Sequence, residues 1–237
     1  MAAYWNERTE LLLGEERLLR LRQSHVLVVG VGGVGAYAAE MIARAGVGEI
    51  TLVDADTVQP SNINRQLPAT HLTIGQAKVE VMRERILAIN PEVVLHIRRE
   101  FLDETTIAPL LSATPYSFII DAIDSITPKA TLIATALRMK MRIVSSMGAG
   151  AKDDPTAVTT SELAKTFNCG LAKAMRTRLK AMGVRGKLPV VFSTQPARKE
   201  SIILIKGERN KKSTSGTVSY MPAIFGCYLA AYAIKQL

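Results

Sequence analysis

The chain is poor in cysteine, and this scarcity argues against two classes of protein. Its 237 residues include only Cys169 and Cys227, and no Cys-x-x-Cys pair occurs. Structural zinc sites usually need several closely spaced cysteines, and small secreted domains need many disulfides, so the sequence indicates neither. The low count fits a reducing compartment, and we expect the protein in the cytoplasm.

Long uncharged segments are also scarce. The N-terminal stretch MAAYWNERTELLLGEERLLRLR mixes acidic and basic residues with leucines, which is not the pattern of a signal peptide. The C-terminal stretch TVSYMPAIFGCYLAAYAIKQL approaches the length of a membrane span. Its Tyr220, Pro222, Gly226 and small residues favour a buried terminal helix over a membrane anchor.

Acidic residues are outnumbered, 21 against 30 basic ones, which gives a net charge of +9. This excess raises the expectation of an anionic partner. Histidine is rare as well. His25, His71 and His96 are scattered along the chain, and we assign none of them to catalysis.

Strand and helix patterns alternate through the first 150 residues. Short apolar runs predict strands at HVLVVG, EITLVD, EVVLHIRR, SFIIDAID and RIVSSM. Helical spacing predicts helices at LLGEERLLRLRQ, GVGAYAAEMIARAGVG, GQAKVEVMRERILAIN and PKATLIATALRMK. The alternation predicts an α/β fold with a doubly wound, mostly parallel Rossmann-like sheet and helices on both faces.

The pattern changes after residue 150. We predict strands at AVTTSE, PVVFST and SIILIK and a basic helix at LAKAMRTRLKAMG, and we expect this section to extend the sheet. We interpret residues 1–237 as one domain. Its parts are an N-terminal helical segment (1–23), a nucleotide-binding core (24–150) and a substrate-binding C-terminal section (151–237).

The motif GVGGVG lies between the first predicted strand and the helix that follows it. Gly30 suits a tight turn, and Gly35 lets the helix pack closely on the strand. Gly32 and Gly33 let the backbone approach a phosphate. Asp54 ends the next strand, where a carboxylate can bind ribose hydroxyls. The motif predicts a bound nucleotide without deciding which one, because NAD, FAD and SAM enzymes use the same device.

A dense polar loop, DADTVQPSNINRQ, follows the second predicted strand and favours ATP. A dehydrogenase needs one acidic residue for ribose, whereas attack on the α-phosphate of ATP needs groups that neutralise several charges. Arg65 suits a forked contact to phosphate, and Asn62 and Gln66 can donate neutral hydrogen bonds. Lys78 adds a compact positive charge, and Asp124 is placed to hold Mg²⁺. Each has an ordinary structural alternative, but together they favour a phosphate site.

These motifs, in this order, resemble a known family. GVGGVG, LVDADTVQPSNINRQ, IGQAKVE, INPEV and DAID are similar to the ThiF-like adenylating domain of ubiquitin-activating enzymes and of bacterial sulfur-carrier activators. The resemblance implies that ATP adenylates a carboxylate and releases pyrophosphate. It also implies a homodimer in which Arg8 reaches into the partner subunit's site.

The resemblance also implies roles for individual residues. It assigns Gly33 to ATP and Asp54 to the ribose. It assigns the phosphates to Asn62, Arg65 and Lys78. It assigns Mg²⁺ to Asp124. The candidate catalytic residues are Arg8, Arg65, Lys78 and Asp124. The candidate nucleotide-binding residues are Gly30, Gly32, Gly33, Gly35, Asp54, Asp56, Asn62, Arg65, Gln66 and Lys78.

The second half resembles a narrower group over nearly the whole chain. YSFIIDAIDSITPKATLIA, DPTAVTTSELAKT, LAKAMRTRLKAMGV and GKLPVVFST are similar to the tRNA threonylcarbamoyladenosine dehydratases. This implies adenylation of the threonyl carboxylate of the modified adenosine, then ring closure with loss of AMP. It implies a tRNA partner and no DNA, and it leaves open a sulfurtransferase-like helper protein and a monovalent cation. Gln195 stands where this group often has an acidic residue, so the role of that position stays open.

Basic residues dominate the segment between Glu162 and Glu200, which contains no acidic residue. Such a run beside a nucleotide site is typical of contact with a phosphate backbone, although a solvated basic face is the alternative. Aromatic residues are too few to support base stacking, so shape and phosphate contacts would dominate. The sequence RNKK at 209–212 could extend the run. The candidate tRNA-binding residues are Lys165, Lys173, Arg176, Arg178, Lys180, Arg185 and Lys187.

Two other functions remain open. An adenylyltransferase that activates the C-terminus of a ubiquitin-like or sulfur-carrier protein would fit the first half. The paired Cys-x-x-Cys zinc ligands common in that group are absent, and Cys169 is a candidate nucleophile only by elimination. An oxidoreductase or a nucleotide sensor would explain the glycine motif but not Arg65 together with Lys78.

Overall fold

A central sheet of seven strands organises the molecule. The computed structural model of the chain describes residues 5–204 and 213–237. The strands are β1 (His25–Val29), β2 (Glu49–Val53), β3 (Val94–Arg98), β4 (Phe118–Asp121), β5 (Ile143–Ser146), β6 (Val158–Glu162) and β7 (Pro189–Ser193). Their order across the sheet is β3-β2-β1-β4-β5-β7-β6. All neighbours are parallel except β6 and β7, which are antiparallel.

Helices cover both faces of this sheet. The α-helices of the described residues are α1 (Glu7–Leu13), α2 (Glu15–Arg22), α3 (Gly35–Arg44), α4 (Lys78–Ile89), α5 (Ile107–Ser112), α6 (Ile126–Arg138), α7 (Gly170–Ala181) and α8 (Tyr220–Gln236). Short 3₁₀ turns occur at Pro60–Asn62, Pro155–Ala157, Leu163–Lys165 and Lys199–Ser201. Helices α3, α4 and α8 pack on one face, and α5, α6 and α7 pack on the other.

Strand β1 shows why its sequence is continuously apolar. Val26 and Val28 belong to the core under α3 and α8, whereas Leu27 and Val29 belong to the core under α5 and α6. Successive side chains of a strand point to opposite faces, so a strand covered on both faces needs an unbroken apolar run. The prediction of a doubly wound, mostly parallel sheet is confirmed.

Some elements differ in detail from the sequence prediction. The predicted opening helix forms two helices, because Gly14 between them has a φ of 82°, a region that glycine adopts without strain. The predicted strand SIILIK does not join the main sheet: β8 (Ile202–Leu204) pairs with β9 (Ser213–Ser215) in a separate two-stranded sheet. The extension of the main sheet by the C-terminal section is confirmed through β7 and β6. The sequence pattern does not predict α5, and residues 209–212 lie outside the described residues.

The apolar C-terminal segment forms α8, which lies against α3. A Cβ atom on Gly226 would lie 2.4 Å from the carbonyl oxygen of Val34 and 2.8 Å from Cβ of Tyr37. Met221, Phe225 and Leu229 of the same helix are fully buried. The predicted buried terminal helix is confirmed. Among the helices of residues 5–204 and 213–237, none is long and apolar enough to span a membrane.

The close contact of α8 with α3 predicts an effect of Gly226→Ala. We expect a loss of about 1–3 kcal/mol in the free energy of unfolding, because the added methyl group meets backbone atoms that cannot move aside. Urea unfolding followed by circular dichroism measures it. The matched control is Gly170→Ala in the first turn of α7, where nothing lies within 4 Å of the added Cβ. Equal stabilities of the two variants would contradict the prediction.

Candidate nucleotide-binding site

The glycine loop connects the carboxyl end of β1 to α3, and its first and last glycines leave no room for side chains. Gly30 has a φ of 85°, and a Cβ there would lie 2.9 Å from the carbonyl oxygen of Ala122. A Cβ on Gly35 would lie 1.7 Å from the carbonyl oxygen of Gly30. The N-cap residue of α3, Val34, makes no side-chain hydrogen bond to the helix. A helix start of this kind offers amide N–H groups to a phosphate.

Gly32 and Gly33 face the polar loop and the first turn of α8. A Cβ on Gly32 would lie 3.6 Å from Nε2 of Gln66, and one on Gly33 would lie 3.1 Å from Cβ of Pro222. Among the described residues, Oε1 of Gln66 is buried and has no hydrogen-bond partner. A buried polar atom without a partner marks a place where a bound molecule can supply one.

Asp54 follows β2 directly and links the glycine loop to the polar loop. Its Oδ2 accepts a hydrogen bond from the N–H of Val31 at 2.7 Å, and its Oδ1 accepts one from the N–H of Asp56 at 2.8 Å. Burial raises the pKa of Asp54, while the charge of Lys78 and the two N–H donors oppose this shift. The carboxylate is therefore held in a fixed orientation at the rim of the glycine loop.

Lys78 begins α4 and lies beneath the polar loop. Its Nζ atom is 2.7 Å from Oδ2 of Asp56, and its backbone N–H donates to the carbonyl oxygen of Asp56 at 3.0 Å. The Lys78 side chain is only 6% exposed, whereas that of Asp56 is 69% exposed. The positive charge thus lies at the boundary between protein and solvent, where an anionic ligand can compete with Asp56.

Arg65 and Asn62 lie in the segment that begins with the 3₁₀ turn. Nη1 of Arg65 donates to the carbonyl oxygen of Ser61 and to Oδ1 of Asn64, both at 2.8 Å. Burial lowers the pKa of Arg65, and the charge of Asp124 opposes that shift, so the two groups lie within electrostatic reach. Asn62 is buried, and its Oδ1 accepts from the N–H of Gln59 at 3.0 Å. This amide therefore shapes the turn that carries Arg65.

A buried ion pair supports the loop that carries Asp124. Nζ of Lys129 lies 2.8 Å from Oδ2 of Asp121, and both side chains are fully buried. The hydroxyl of Ser145 donates to the same carboxylate oxygen at 2.6 Å. Lys129 also donates to the carbonyl oxygen of Ile123 at 2.9 Å, and the N–H of Ile123 donates to Oδ1 of Asp121 at 3.1 Å. The backbone just before Asp124 is therefore fixed from both sides.

The sequence analysis assigned no role to Asp121 or Lys129. A usable signal was present: an aspartate ends the apolar run FIID, and a lysine lies in the otherwise apolar helix pattern PKATLIA. A buried charge needs a partner of opposite sign, so these two positions together indicate an ion pair.

The basic helix α7 lies next to the loop of Asp124. A groove of about 460 Å³ runs between α7 and the start of α6, and Ile126, Lys173 and Arg178 line it. Ile126 follows Asp124 by two residues. Of the predicted tRNA-binding residues, those on the exposed surface are Lys165, Lys173, Arg178, Lys180, Arg185 and Lys187.

Arg176 differs from the other predicted tRNA-binding residues. It is half-buried, and its Nη1 donates to the carbonyl oxygens of Leu163 and Thr166 at 3.3 and 3.0 Å and to the hydroxyl of Thr166. Arg176 therefore fastens the segment before α7 to that helix. Lys187 is exposed, with its Nζ 3.7 Å from Oε1 of Glu162.

Arg8 lies away from the glycine loop of its own chain. It is exposed on α1. Asn6, two residues before Arg8, lies beside Gly46, which connects α3 to the amino end of β2. This connection is at the end of the strands opposite the glycine loop. The single chain does not bring Arg8 to the residues predicted around the nucleotide.

Gln195 and Cys169 make structural contacts near the predicted site. Oε1 of Gln195 accepts hydrogen bonds from the N–H groups of Asp153 and Asp154, both at 3.0 Å, and thereby holds the loop after β5. Cys169 is buried, and its Sγ accepts from the N–H of Ala172 at 3.5 Å. This thiol caps the start of α7.

The family assignment follows from the whole length of this fold. The ThiF family profile matches residues 6–237. The chain belongs to the ThiF family. Among the relatives of this chain, the tRNA threonylcarbamoyladenosine dehydratase of Escherichia coli K12 is 40% identical, over 98% of this chain and 94% of the relative. The Bacillus subtilis dehydratase is 36% identical, over 97% and 93%.

Solved structures give the same result for this ThiF-family chain. The crystal structure of E. coli tRNA N6-threonylcarbamoyladenosine dehydratase in complex with ATP has a TM-score of 0.90 and 39% identity, over 98% of this chain and 93% of that one. By contrast, the molybdopterin-synthase adenylyltransferase of E. coli is 33% identical over 149 residues, which is 63% of this chain. The likeness to dehydratases therefore includes parts of the chain that the likeness to the adenylyltransferase does not.

The buried ion pair predicts a large effect of Lys129→Met. We expect the free energy of unfolding to fall by about 3–5 kcal/mol, because the carboxylate of Asp121 would stay buried without its counter-charge. Urea unfolding measures the change. The double variant Lys129→Met with Asp121→Asn removes both charges, and we expect it to recover much of the loss. A single variant as stable as the wild type would contradict this account of the Asp124 loop.

Proposed function

We propose that this chain is an ATP-dependent tRNA threonylcarbamoyladenosine dehydratase. It would adenylate the threonyl carboxylate of the modified adenosine and then close it to the cyclic form. The observation that carries the proposal is the groove along α7, which Lys173 and Arg178 line and which reaches Ile126, two residues after Asp124. The likeness to the E. coli dehydratase, whose structure contains ATP, extends over nearly the whole chain and supports the proposal.

The residues around the glycine loop fit ATP. A loop in which a Cβ on Gly30 or Gly35 would meet backbone atoms lets phosphates approach the backbone, and Nε2 of Gln66, a hydrogen-bond donor, lies beside Gly32. Asp54 would bind the ribose hydroxyls. Arg65 and Lys78 would bind the phosphates, and Lys78 would exchange Asp56 for a phosphate oxygen.

Asp124 is the residue that fits Mg²⁺. Its carboxylate is exposed at the tip of β4, whereas both oxygens of Asp54 accept backbone hydrogen bonds. Mg²⁺ is often held by one or two protein carboxylates together with substrate phosphates, so one carboxylate here is sufficient. Bound Mg²⁺ would neutralise phosphate charge. A monovalent cation remains a prediction without assigned residues.

The proposed reaction requires little general acid or base catalysis from the protein. A carboxylate oxygen of the threonyl group attacks the α-phosphorus, a new O–P bond forms, and the bond to pyrophosphate breaks. Arg65 and Lys78 stabilise the negative charge on the phosphate oxygens. The carbamoyl group of the same nucleoside then attacks the acyl carbon, loses a proton and expels AMP. No enzyme nucleophile takes part, which agrees with the capping role of Cys169.

A homodimer is part of the proposal. Arg8 is exposed and far from its own glycine loop, so it would serve the site of a partner copy. The surface near it is apolar: Leu11 and Leu12 of α1 and Leu19 of α2 are exposed. Exposed leucines of this kind favour a protein interface. A sulfurtransferase-like helper protein stays a prediction.

The test of the proposed activity is nucleoside mass spectrometry. We would incubate the protein with tRNA that carries threonylcarbamoyladenosine, ATP and Mg²⁺. We expect this nucleoside to lose one water in an ATP-dependent reaction that releases AMP. An unchanged nucleoside, together with adenylation of a carrier protein's C-terminus, would replace the proposal with the alternative adenylyltransferase function.

Arg65→Ala tests the assignment of the phosphate site. We expect turnover to fall by about 10²–10³-fold, because one preorganised contact to the phosphate charge is lost. Circular dichroism should show an unchanged fold. Arg83→Ala, an exposed arginine on α4, is the matched control and should keep wild-type turnover. Wild-type turnover in Arg65→Ala would remove Arg65 from the site.

The double variant Lys173→Ala with Arg178→Ala tests the tRNA groove. We expect weaker tRNA binding and a salt dependence that is shallower by about two phosphate contacts, because each cation releases counterions when it binds. Filter binding at several salt concentrations measures both effects, and ATP binding should not change. Arg83→Ala again serves as the control, because α4 packs on the other face of the sheet. Unaltered tRNA affinity in the double variant would place the tRNA elsewhere.

A further inference from the structure

Two histidines and a glutamate meet near the amino ends of the strands, opposite the end that carries the glycine loop. His25 begins β1, Glu49 begins β2, and His96 lies in the middle of the edge strand β3. The strand register pairs His25 with Glu49, and it pairs Thr51, two residues after Glu49, with His96. Residues two apart in a strand share a face, so the three side chains all lie on the α5 face of the sheet.

The distances between these side chains suit metal coordination. Nδ1 of His25 lies 3.4 Å from Oε1 of Glu49, and Nε2 of His96 lies 2.9 Å from the same oxygen. One ligand atom from each residue lies within 4.8 Å of the other two. Ligand atoms about 2.0–2.2 Å from a tetrahedral ion are separated by roughly 3.4 Å. The cluster is therefore close to coordination geometry, and small side-chain rotations would complete it.

Neighbouring groups hold His25 in the required orientation. Its Nε2 is hydrogen-bonded to the hydroxyl of Thr51 at 2.8 Å, which leaves Nδ1 facing Glu49. The ring of Tyr116 packs edge-on against the imidazole, with 4.7 Å between the ring centroids. Metal-bound histidines usually carry such a second hydrogen bond, which fixes the tautomer and the ring orientation.

The cluster also has an entry path and an open side. The side chain of His25 is 7% exposed, but those of Glu49 and His96 are 39% and 51% exposed. The three residues line a cavity of about 400 Å³, together with Arg98, Thr114 and Tyr116. Three protein ligands beside an open cavity leave a fourth position for water or a small anion.

We propose that His25, Glu49 and His96 form a binding site for a first-row divalent metal ion, with Zn²⁺ as its occupant. Two imidazoles and one carboxylate are a donor set that suits Zn²⁺. The ion would join β1, β2 and the edge strand β3 through their side chains. It would stabilise the folded chain, because the unfolded chain does not hold these residues together. The proposal is independent of the proposed dehydratase activity.

The test is isothermal titration calorimetry of the metal-free full-length protein with ZnCl₂. We expect one ion per chain, and we expect the thermal unfolding midpoint to rise with Zn²⁺. Glu49→Gln keeps the shape of the side chain, and His96→Ala removes an exposed group from an edge strand, so both variants should fold. Each should lower the affinity for Zn²⁺ by about tenfold or more and remove the thermal shift.

Two controls separate this site from other zinc ligands. His71→Ala removes the exposed histidine outside the cluster and should bind Zn²⁺ like the wild type. Substitution of Zn²⁺ by Co²⁺ should give visible absorption bands without the thiolate charge-transfer band that Cys169 or Cys227 would produce. Absent binding to the wild type would overturn the proposal. Wild-type affinity in both Glu49→Gln and His96→Ala, or a thiolate band, would do the same.

Discussion

The close approach of Gly35 to the carbonyl oxygen of Gly30 is the constraint on which the site depends. It places the start of α3 directly on the end of β1, so that the loop passes beside Ala122 after β4 and beside Pro222 of α8. Asp54 then binds the N–H of Val31 and fixes the same loop from the side of β2. Three strands and two helices thus converge on one short backbone segment, and a side chain at either glycine would separate them.

Charge in this molecule is arranged by depth. The pair of Asp121 and Lys129 is fully buried, and it holds the backbone that presents the exposed Asp124. Lys78 is buried but pairs with the exposed Asp56, so its ammonium group can pair with an anionic ligand instead. The basic residues around α7 are mostly exposed, where salt weakens their fields but a polyanion can reach them. The fully buried pair, the lysine that pairs with an exposed carboxylate and the exposed basic residues thus lie at three different depths.

The two ends of the strands carry different sets of functional side chains. At the carboxyl ends of the strands, loops bring donors and cations together, as expected for a doubly wound sheet. At the amino ends, His25 and Glu49 meet His96 without any loop, because their positions follow from the strand register alone. A cluster built on paired strands is positioned by the sheet itself, so the proposed metal site and the proposed nucleotide site, at opposite ends of the strands, can be tested separately.

The sequence by itself determined the parts that depend on local pattern. The apolar runs predict β1 to β7, and the motif GVGGVG and the polar loop predict which edge of the sheet binds a nucleotide. Tertiary structure alone decided contacts between residues distant in sequence. The sequence shows His25 and His96 as scattered, because they are 71 residues apart. It does not show that Arg176 binds Thr166, or that the strand in SIILIK pairs with β9. Periodicity records which face of an element is buried, but pairing depends on strand order and register, which are properties of the folded chain.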